Sequence, residues 1–430
     1  LRLFYNIFIY IAPIFIWIAS LFSKKLKLFY QGRKGLIKRI EKEMAKHYAN
    51  AGDGLKEIIW FHCSSVGEFE QARPIIEWYR ENSQKKILLT FFSPSGYELR
   101  KSYQGADWVY YLPLDTVFNA KRFMKAVKPK VVIFTKYDLW SNYITQANKS
   151  GAQLYLISAI FRPYQSFFKW WGGFFRAMLR RFNAIFVQDM ESVKNLSSIG
   201  IKNRVFISGD TRFDRVKKIA DLSKDFPVVD LFLKDSFAIV AGSTWRPDDE
   251  IIAEVAKHFS KIRIVVAPHE IDEDRINEVA QIYDSYGVVR YSDIENSVEI
   301  EKLSEAPKDI FEGKKVMIID CLGILSSLYK YATFSYIGGG FGVGIHNVLE
   351  TAVYGSPIAF GPNYKKFREA VQLVERGGAI SINNSSDLYQ ILDKCLKNSS
   401  ICTDKSLICK QYVKENLGAT DKIIDIIKEN

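Results

Sequence analysis

Residues 333–350 read Thr-Phe-Ser-Tyr-Ile-Gly-Gly-Gly-Phe-Gly-Val-Gly-Ile-His-Asn-Val-Leu-Glu. Thr333 to Ile337 is an apolar run of strand type. The glycines make a turn, and the polar triplet His346, Asn347 and Glu350 follows on a predicted helix. A strand, a glycine turn and a helix start form a unit with which α/β proteins hold phosphate. Bare backbone N–H groups and the positive end of the helix dipole face the anion, and glycine admits it closely. The spacing is not the dinucleotide fingerprint, and no Lys-Ser/Thr follows as in a P-loop. Asn347 and Glu350, three residues apart on one helical side, point to a sugar or ribose beside the phosphate. Tight strand-to-helix packing is the plainer use of such a run.

The same alternation extends in both directions along the chain. Glu57 to Cys63, Lys85 to Phe91, Lys130 to Phe134, Gln153 to Ile157 and Ala184 to Val187 read as buried strands separated by helical stretches. The rhythm restarts at Phe237 to Ala241 and continues through Arg263 to Ala267, Val316 to Ile319, Thr333 to Ile337 and Pro357 to Phe360. This is the βαβ pattern of parallel sheets. Between the two sets, 220–235 is charged, contains Pro227 and lacks clean periodicity, so it reads as a linker. At 430 residues the chain exceeds one usual core. The expected organisation is a membrane anchor at 1–23, an N-terminal Rossmann-like domain at 24–219, the linker, and a C-terminal Rossmann-like domain at 236–430. Two doubly wound domains of this kind are expected to face a cleft lined by strand carboxyl ends.

The anchor rests on Leu3 to Phe22, which holds no charged residue and as a helix matches a bilayer's hydrocarbon thickness. It runs directly into Lys24, Lys25 and Lys27, without the small-residue cleavage site of a signal peptide. From Leu21 to Lys46 there are nine Lys or Arg against two Glu, which assigns that flank and the body behind it to the cytoplasmic side. A buried helix of the N-terminal domain is the alternative, and the pattern leaves spanning and one-leaflet insertion both open. The formal net charge of +12 points to an anionic partner. Five cysteines without CxxC spacing indicate neither a zinc site nor a disulfide framework, and no metal or cofactor is expected.

Strand ends supply the candidate chemistry. After the first strand, His62-Cys63-Ser64-Ser65-Val66-Gly67-Glu68 delivers a carboxylate to a helix start, placed either to act as a general base or to cap the helix. Ser93-Pro94-Ser95-Gly96 and Asp138-Leu139-Trp140 follow two further strands, and Gly242-Ser243-Thr244-Trp245 and Ala267-Pro268-His269 lie in the second half. From Ile160 to Phe182 there are nine aromatics and five Lys or Arg without an acid, including Arg162 and Lys169. Such interleaving suits a lipid interface. It also suits single-stranded nucleic acid, although no nucleic-acid module accompanies it, or a core helix with Trp170 and Phe174 on one face.

In order, His-x-x-Ser-Val-Gly-Glu, Ser-Pro-Ser-Gly-Tyr-Glu, Leu-Pro-Leu-Asp (112–115), Asp-Leu-Trp-Ser-Asn, Gly-Ser-Thr-Trp, Ala-Pro-His, Ile-Asp-Cys-Leu-Gly-Ile-Leu (319–325) and Gly-Ile-His-Asn-x-Leu-Glu resemble the 3-deoxy-D-manno-octulosonic acid (Kdo) transferases of lipopolysaccharide assembly. The resemblance covers nearly the whole chain. It implies a GT-B fold and transfer of Kdo from CMP-Kdo to a lipid A precursor, with inversion, at the cytoplasmic face of the inner membrane. The implied partners are CMP-Kdo, the lipid A precursor and membrane lipids, with no nucleic acid. Glu68 is then the general base. Arg212, Ser243, Thr244, His269, Gly339, Gly340, Gly342, Gly344, His346, Asn347 and Glu350 are assigned to the donor. Ser65, Gly67, Ser95, Asp138, Trp140, Arg162 and Lys169 are assigned to the acceptor side. The chain departs from the family where Lys136 replaces the first acid of Glu-x-Glu-Leu-Trp-Pro-Asn and Asp138 the second. Pro-Arg-His reads Pro-His269-Glu270, so Lys136 or Arg246 is left to supply the missing cation. A UDP-sugar-dependent lipid glycosyltransferase, a nucleotide-sugar epimerase and a non-catalytic lipid-binding protein are the competing readings.

Overall fold

A computed structural model describes residues 1–50, 57–297 and 310–429. The chain divides into two compact units, one of Leu1–Arg215 with Leu417–Asn430, the other of Val216–Asn416.

The first unit is built on β1 (Ile58–Cys63), β2 (Lys86–Phe91), β3 (Trp108–Tyr111), β4 (Val131–Thr135), β5 (Gln153–Ala159), β6 (Ala184–Val187) and β7 (Val205–Ile207). All pairings are parallel, in the order β3-β2-β1-β4-β5-β6-β7. β1 and β4 are buried at every residue, as expected of central strands covered by helices on both faces. Order reverses between β1 and β4, whose neighbouring carboxyl ends are therefore the place where this architecture binds ligands.

The second unit carries β8 (Phe237–Thr244), β9 (Ile262–Pro268), β10 (Val288–Arg290), β11 (Val316–Ile318), β12 (Phe334–Ile337), β13 (Ile358–Phe360) and β14 (Ala379–Ser381). They too are parallel, in the order β10-β11-β9-β8-β12-β13-β14. Its order reverses between β8 and β12. All ten anticipated strands are present. β3, β7, β10 and β14 were not anticipated.

Two boundaries differ from the expectation. The segment 220–235 contains a helix, Pro227–Leu233, whose Val229 and Phe232 are fully buried, so it is not a bare linker. The C-terminal helix Ala419–Glu429 does not stay with the second unit. Its Ile423, Ile424 and Ile427 pack into a first-unit core with Ile59, Phe61, Phe69 and Phe186, and Asp214 accepts from Gly418 N and Thr420 N, both at 2.6 Å. Hydrophobic periodicity identifies a helix but not the sheet it covers.

Candidate active site

In the first unit, β1 ends at Cys63 and the helix Val66–Asn82 begins three residues later, with Ser65 as its N-cap. This tight turn places Glu68 in the first helical turn, its Oε2 accepting from Ser64 N at 2.5 Å. Glu68 thus closes back on the turn, and the backbone N–H groups of Ser64 and Ser65 both act on its carboxylate. Burial raises the Glu68 carboxyl to about 7, with Asp138 adding to the effect, while the Ser64 N–H and the Lys136 cation oppose it. Gly67 is exposed, and a Cβ there would meet nothing within 4 Å.

Asp138 follows β4 and is the hub of the neighbouring strand end. His62 Nε2 lies 2.8 Å from its Oδ2, Trp140 Nε1 donates to the same oxygen at 2.9 Å, and the Ser64 hydroxyl donates to it as well. Although burial pushes the other way, these donors hold the Asp138 carboxyl below its ordinary value. Two carboxyls of one site are therefore driven apart, one proton-binding near neutrality and one held ionised, a pattern characteristic of acid–base sites. His62 is fixed from behind by Thr90 Oγ1 at 2.8 Å from its Nδ1. Lys136 adopts a left-handed backbone at φ 60°, and its cation acts on both Glu68 and Asp210.

The remaining first-unit candidates are dispersed in role. Arg212 Nη2 donates to buried Asp210 at 2.7 Å. Arg162 Nη2 donates to Asp189 at 2.8 Å, and Asp189 also caps the helix Met190–Ser198. Ser95 is exposed on the helix Pro94–Arg100. Lys169 is exposed beside Trp170, which is 92% exposed. The segment from 166 forms a 3-10 turn, Ser166–Phe168, and a separate helix, Gly173–Leu179, so Trp170 does not share a helical face with Phe174.

In the second unit, Ser243 and Thr244 end β8, His269 follows β9, and the glycine loop follows β12. The three chain segments meet in an aromatic stack. The His269 ring lies 4.8 Å from that of Trp245 and 4.4 Å from that of His346, and Trp245 Nε1 donates to His346 Nε2 at 3.4 Å. Burial, with His269 alongside, pushes the His346 imidazole down to about 4, so it is neutral at physiological pH. Asp248 ties the loop to this corner, its Oδ2 accepting from Gly339 N and Trp245 N, each at 2.9 Å, and its Oδ1 from Tyr336 OH at 2.8 Å.

Two expectations for this loop need correction. His346 and Asn347 precede the helix, which is only Leu349–Ala352. Asn347 Oδ1 accepts from Leu349 N at 3.1 Å, and Asn347 Nδ2 donates to Glu350 Oε1 at 3.0 Å. The backbone donors are also less bare than expected. Gly342 N and Gly344 N both bond Gly339 O, at 3.0 and 3.2 Å, His346 N bonds Gly338 O at 3.2 Å, and Gly339 N is taken by Asp248. Glycine is required for different reasons along the run. A Cβ on Gly338 would stand 2.2 Å from Ser243 O and one on Gly340 2.5 Å from Gly361 N, whereas Gly339 and Gly344 take φ 89° and 143°. Gly342 alone in the run would accept a Cβ without strain, in ordinary contact with Gly339 O at 3.6 Å.

Several further residues stand at these strand ends beside the expected site residues. Asp248 was visible as an acid three residues after Trp245, a capping pattern. His62 and Ser64 belong to the motif that ends the first strand, but neither proximity to Asp138 nor the Thr90 support is encoded locally. Asn363, after β13, bonds Gly340 O and Gly342 O, at 2.9 and 2.7 Å, and sits next to exposed Lys365 and Lys366. Arg246 pairs with Glu250 at 2.8 Å and Glu278 at 3.2 Å. Among the described residues no group of three or more His, Cys, Asp or Glu is arranged to hold a metal. A cavity of about 600 Å³ lies at the opposite end of β8 and β12, lined by Pro227, Lys234, Ala238, Lys330 and Thr333.

Residues 32–215 match the family described as 3-deoxy-D-manno-octulosonic-acid transferase (kdotransferase). The chain is similar to Kdo transferases. It is 27% identical over 350 residues to the 3-deoxy-D-manno-octulosonic acid transferase of Aquifex aeolicus, covering 79% of this chain and 86% of that one. With the enzyme of the same description from Chlamydia trachomatis serovar A it shares 26% over 419 residues, 94% and 92% of the two chains. A bifunctional glycosyltransferase/methyltransferase of Fusobacterium nucleatum is 26% identical over 412 residues, and this chain spans 61% of its length. Among solved structures, UDP-GlcNAc 2-epimerase of Neisseria meningitidis superposes with a TM-score of 0.59 at 16% identity, over 87% of this chain and 100% of that one. MurG of Acinetobacter baumannii gives 0.54 at 13%, over the same shares. At such identity the likeness concerns the fold alone. The two Rossmann-like units are of the GT-B type.

Proposed function

We propose that the chain transfers Kdo from CMP-Kdo to a lipid A precursor, with Glu68 as the general base. The observation that carries this reading is the Glu68 carboxyl, raised to about 7 at the carboxyl end of β1, inside the segment that matches the Kdo transferases. As an acceptor hydroxyl attacks the anomeric carbon, its proton passes to Glu68. The new bond forms between the hydroxyl oxygen and that carbon, the bond from the anomeric carbon to the CMP phosphate breaks, and CMP leaves with the electron pair. A single displacement of this kind inverts the anomeric centre. Positioned proton transfer typically contributes about 10²–10⁴-fold.

Asp138 keeps His62, Ser64 and Trp140 in place and raises the proton affinity of Glu68. It is a positioning residue for the base. In the second unit, the stack of Trp245, His269 and His346 offers aromatic faces to a nucleobase, and Asn347 with Glu350 offers polar contacts to ribose. Since much of the glycine backbone is internally bonded, the remaining loop N–H groups and the adjacent lysines are left to meet the phosphate.

Calorimetric titration of the purified chain with CMP and with UDP tests the donor assignment. CMP is expected to bind, with UDP at least tenfold weaker. A preference for UDP would favour a UDP-sugar donor instead.

A further inference from the structure

The helix Arg2–Ser20 is long and apolar enough to cross a membrane. It is nevertheless tied to the first unit near its start and past its end. Near its start the Tyr5 hydroxyl donates to Asp115 and Asn142 Nδ2 donates to Asn6 Oδ1 at 2.9 Å, while the Tyr5 ring lies 5.4 Å from that of Phe174. Past its end, in the helix Lys24–Arg33, Arg33 donates to Leu112 O at 2.9 Å and to Phe92 O at 2.7 Å, and its guanidinium sits 3.7 Å from the Phe29 ring.

The helix surface is divided accordingly. Tyr5, Asn6, Ile9, Ile16 and Ser20 are buried or half-buried, while Phe4, Phe8, Ile11, Phe15 and Ile18 are exposed, each set at helical spacing. The exposed stripe is wholly apolar. Its flank is basic, with Lys24, Lys25, Lys27 and Lys34 exposed or half-exposed. Phe174 meets Tyr5 on the packed side of the helix, and the segment just before it exposes Trp170 and Trp171.

A helix rises about 21 Å between residues 6 and 20. Crossing a hydrocarbon core of roughly 30 Å would therefore leave Asn6 deep in the bilayer, far from the face that holds Lys24, whereas the Asp115, Asn142 and Arg33 contacts hold both against one body. Leaving those contacts would also remove the Tyr5 partner from buried Asp115, which takes Asn142 N and Tyr143 N at 2.9 Å each.

We propose that Arg2–Ser20 is a monotopic anchor, lying along the first unit with its exposed stripe in one leaflet of an anionic phospholipid membrane. The lysines beyond it meet the headgroups, and the Trp170 segment extends the same contact. The anchor does not depend on the sugar that is transferred.

The test uses the full chain carrying Cys321→Ser, with either Arg2→Cys or Lys149→Cys added, Lys149 being exposed at the end of Ser141–Lys149. A membrane-impermeant maleimide is applied to spheroplasts and to inverted vesicles. Both cysteines are expected to react from the same side. Reaction from opposite sides would establish a spanning helix and overturn the proposal. Which side reacts reports separately on the cytoplasmic placement. In a second measurement, Asn6→Cys with Asn142→Cys is expected to form a disulfide on oxidation in membranes as it does in detergent. A link formed in detergent and lost in membranes would also overturn the proposal.

Discussion

Glu68 sits near the edge of ionisation at neutral pH, and that has consequences for both rate and stability. A base must be deprotonated, so transfer is expected to rise with pH to a plateau above about 7, the value to which burial raises this carboxyl. The Asp138 charge contributes to the raise, so Asp138→Asn should move the rising limb to lower pH as well as weaken the Ser64 and His62 contacts; an unmoved limb would detach Asp138 from Glu68. For stability, the native state holds the Glu68 proton more tightly than the unfolded chain with its ordinary 4.5. The native state therefore binds more protons in that window, and Glu68 lowers stability progressively as pH rises from about 4.5 to about 7. Glu68→Gln should accordingly melt no lower than wild type at pH 8, in a scanning calorimetry comparison, while losing at least about 10²-fold in transfer. At this scale the position of Glu68 in the first helical turn was legible, because a small-residue turn after a buried strand aims the next helix start. It could not place the Thr90–His62–Asp138 line, which joins three strands through space.

At the scale of elements, the four unanticipated strands are the four sheet edges. β7 is half-exposed to exposed and β10 half-exposed throughout, and none of the four exceeds four residues, so no continuous buried run marks them. The glycine loop was read for ligand approach, yet part of it serves backbone packing. Gly340→Ala should destabilise by about 1–3 kcal/mol, because its Cβ would press on the Gly361 backbone, whereas Gly342→Ala has room. Denaturant titration of the two variants separates them, and equal losses would contradict the packing account. Asp248→Ala should weaken nucleotide binding without touching the nucleotide, since Gly339 and Trp245 both lose their shared acceptor.

At the scale of the whole molecule, the alternation of apolar runs made two parallel-sheet units legible, whereas the charged, proline-bearing stretch 220–235 lies inside the second unit, which begins at Val216. The return of the C-terminal helix was not legible, because an amphipathic face does not name its partner. Truncation after Asn416 should expose the first-unit core that Ile423, Ile424 and Ile427 cover, and lower the melting temperature of that unit. A truncated chain melting like the full one would contradict this packing.

The central claim is Kdo transfer by Glu68, and mass spectrometry of a lipid A precursor incubated with CMP-Kdo and membranes carrying this chain tests it directly. The account predicts mass gains in whole Kdo steps with wild type and none with Glu68→Gln. No gain with wild type that demonstrably binds CMP, or equal gain with the Glu68 variant, would contradict it.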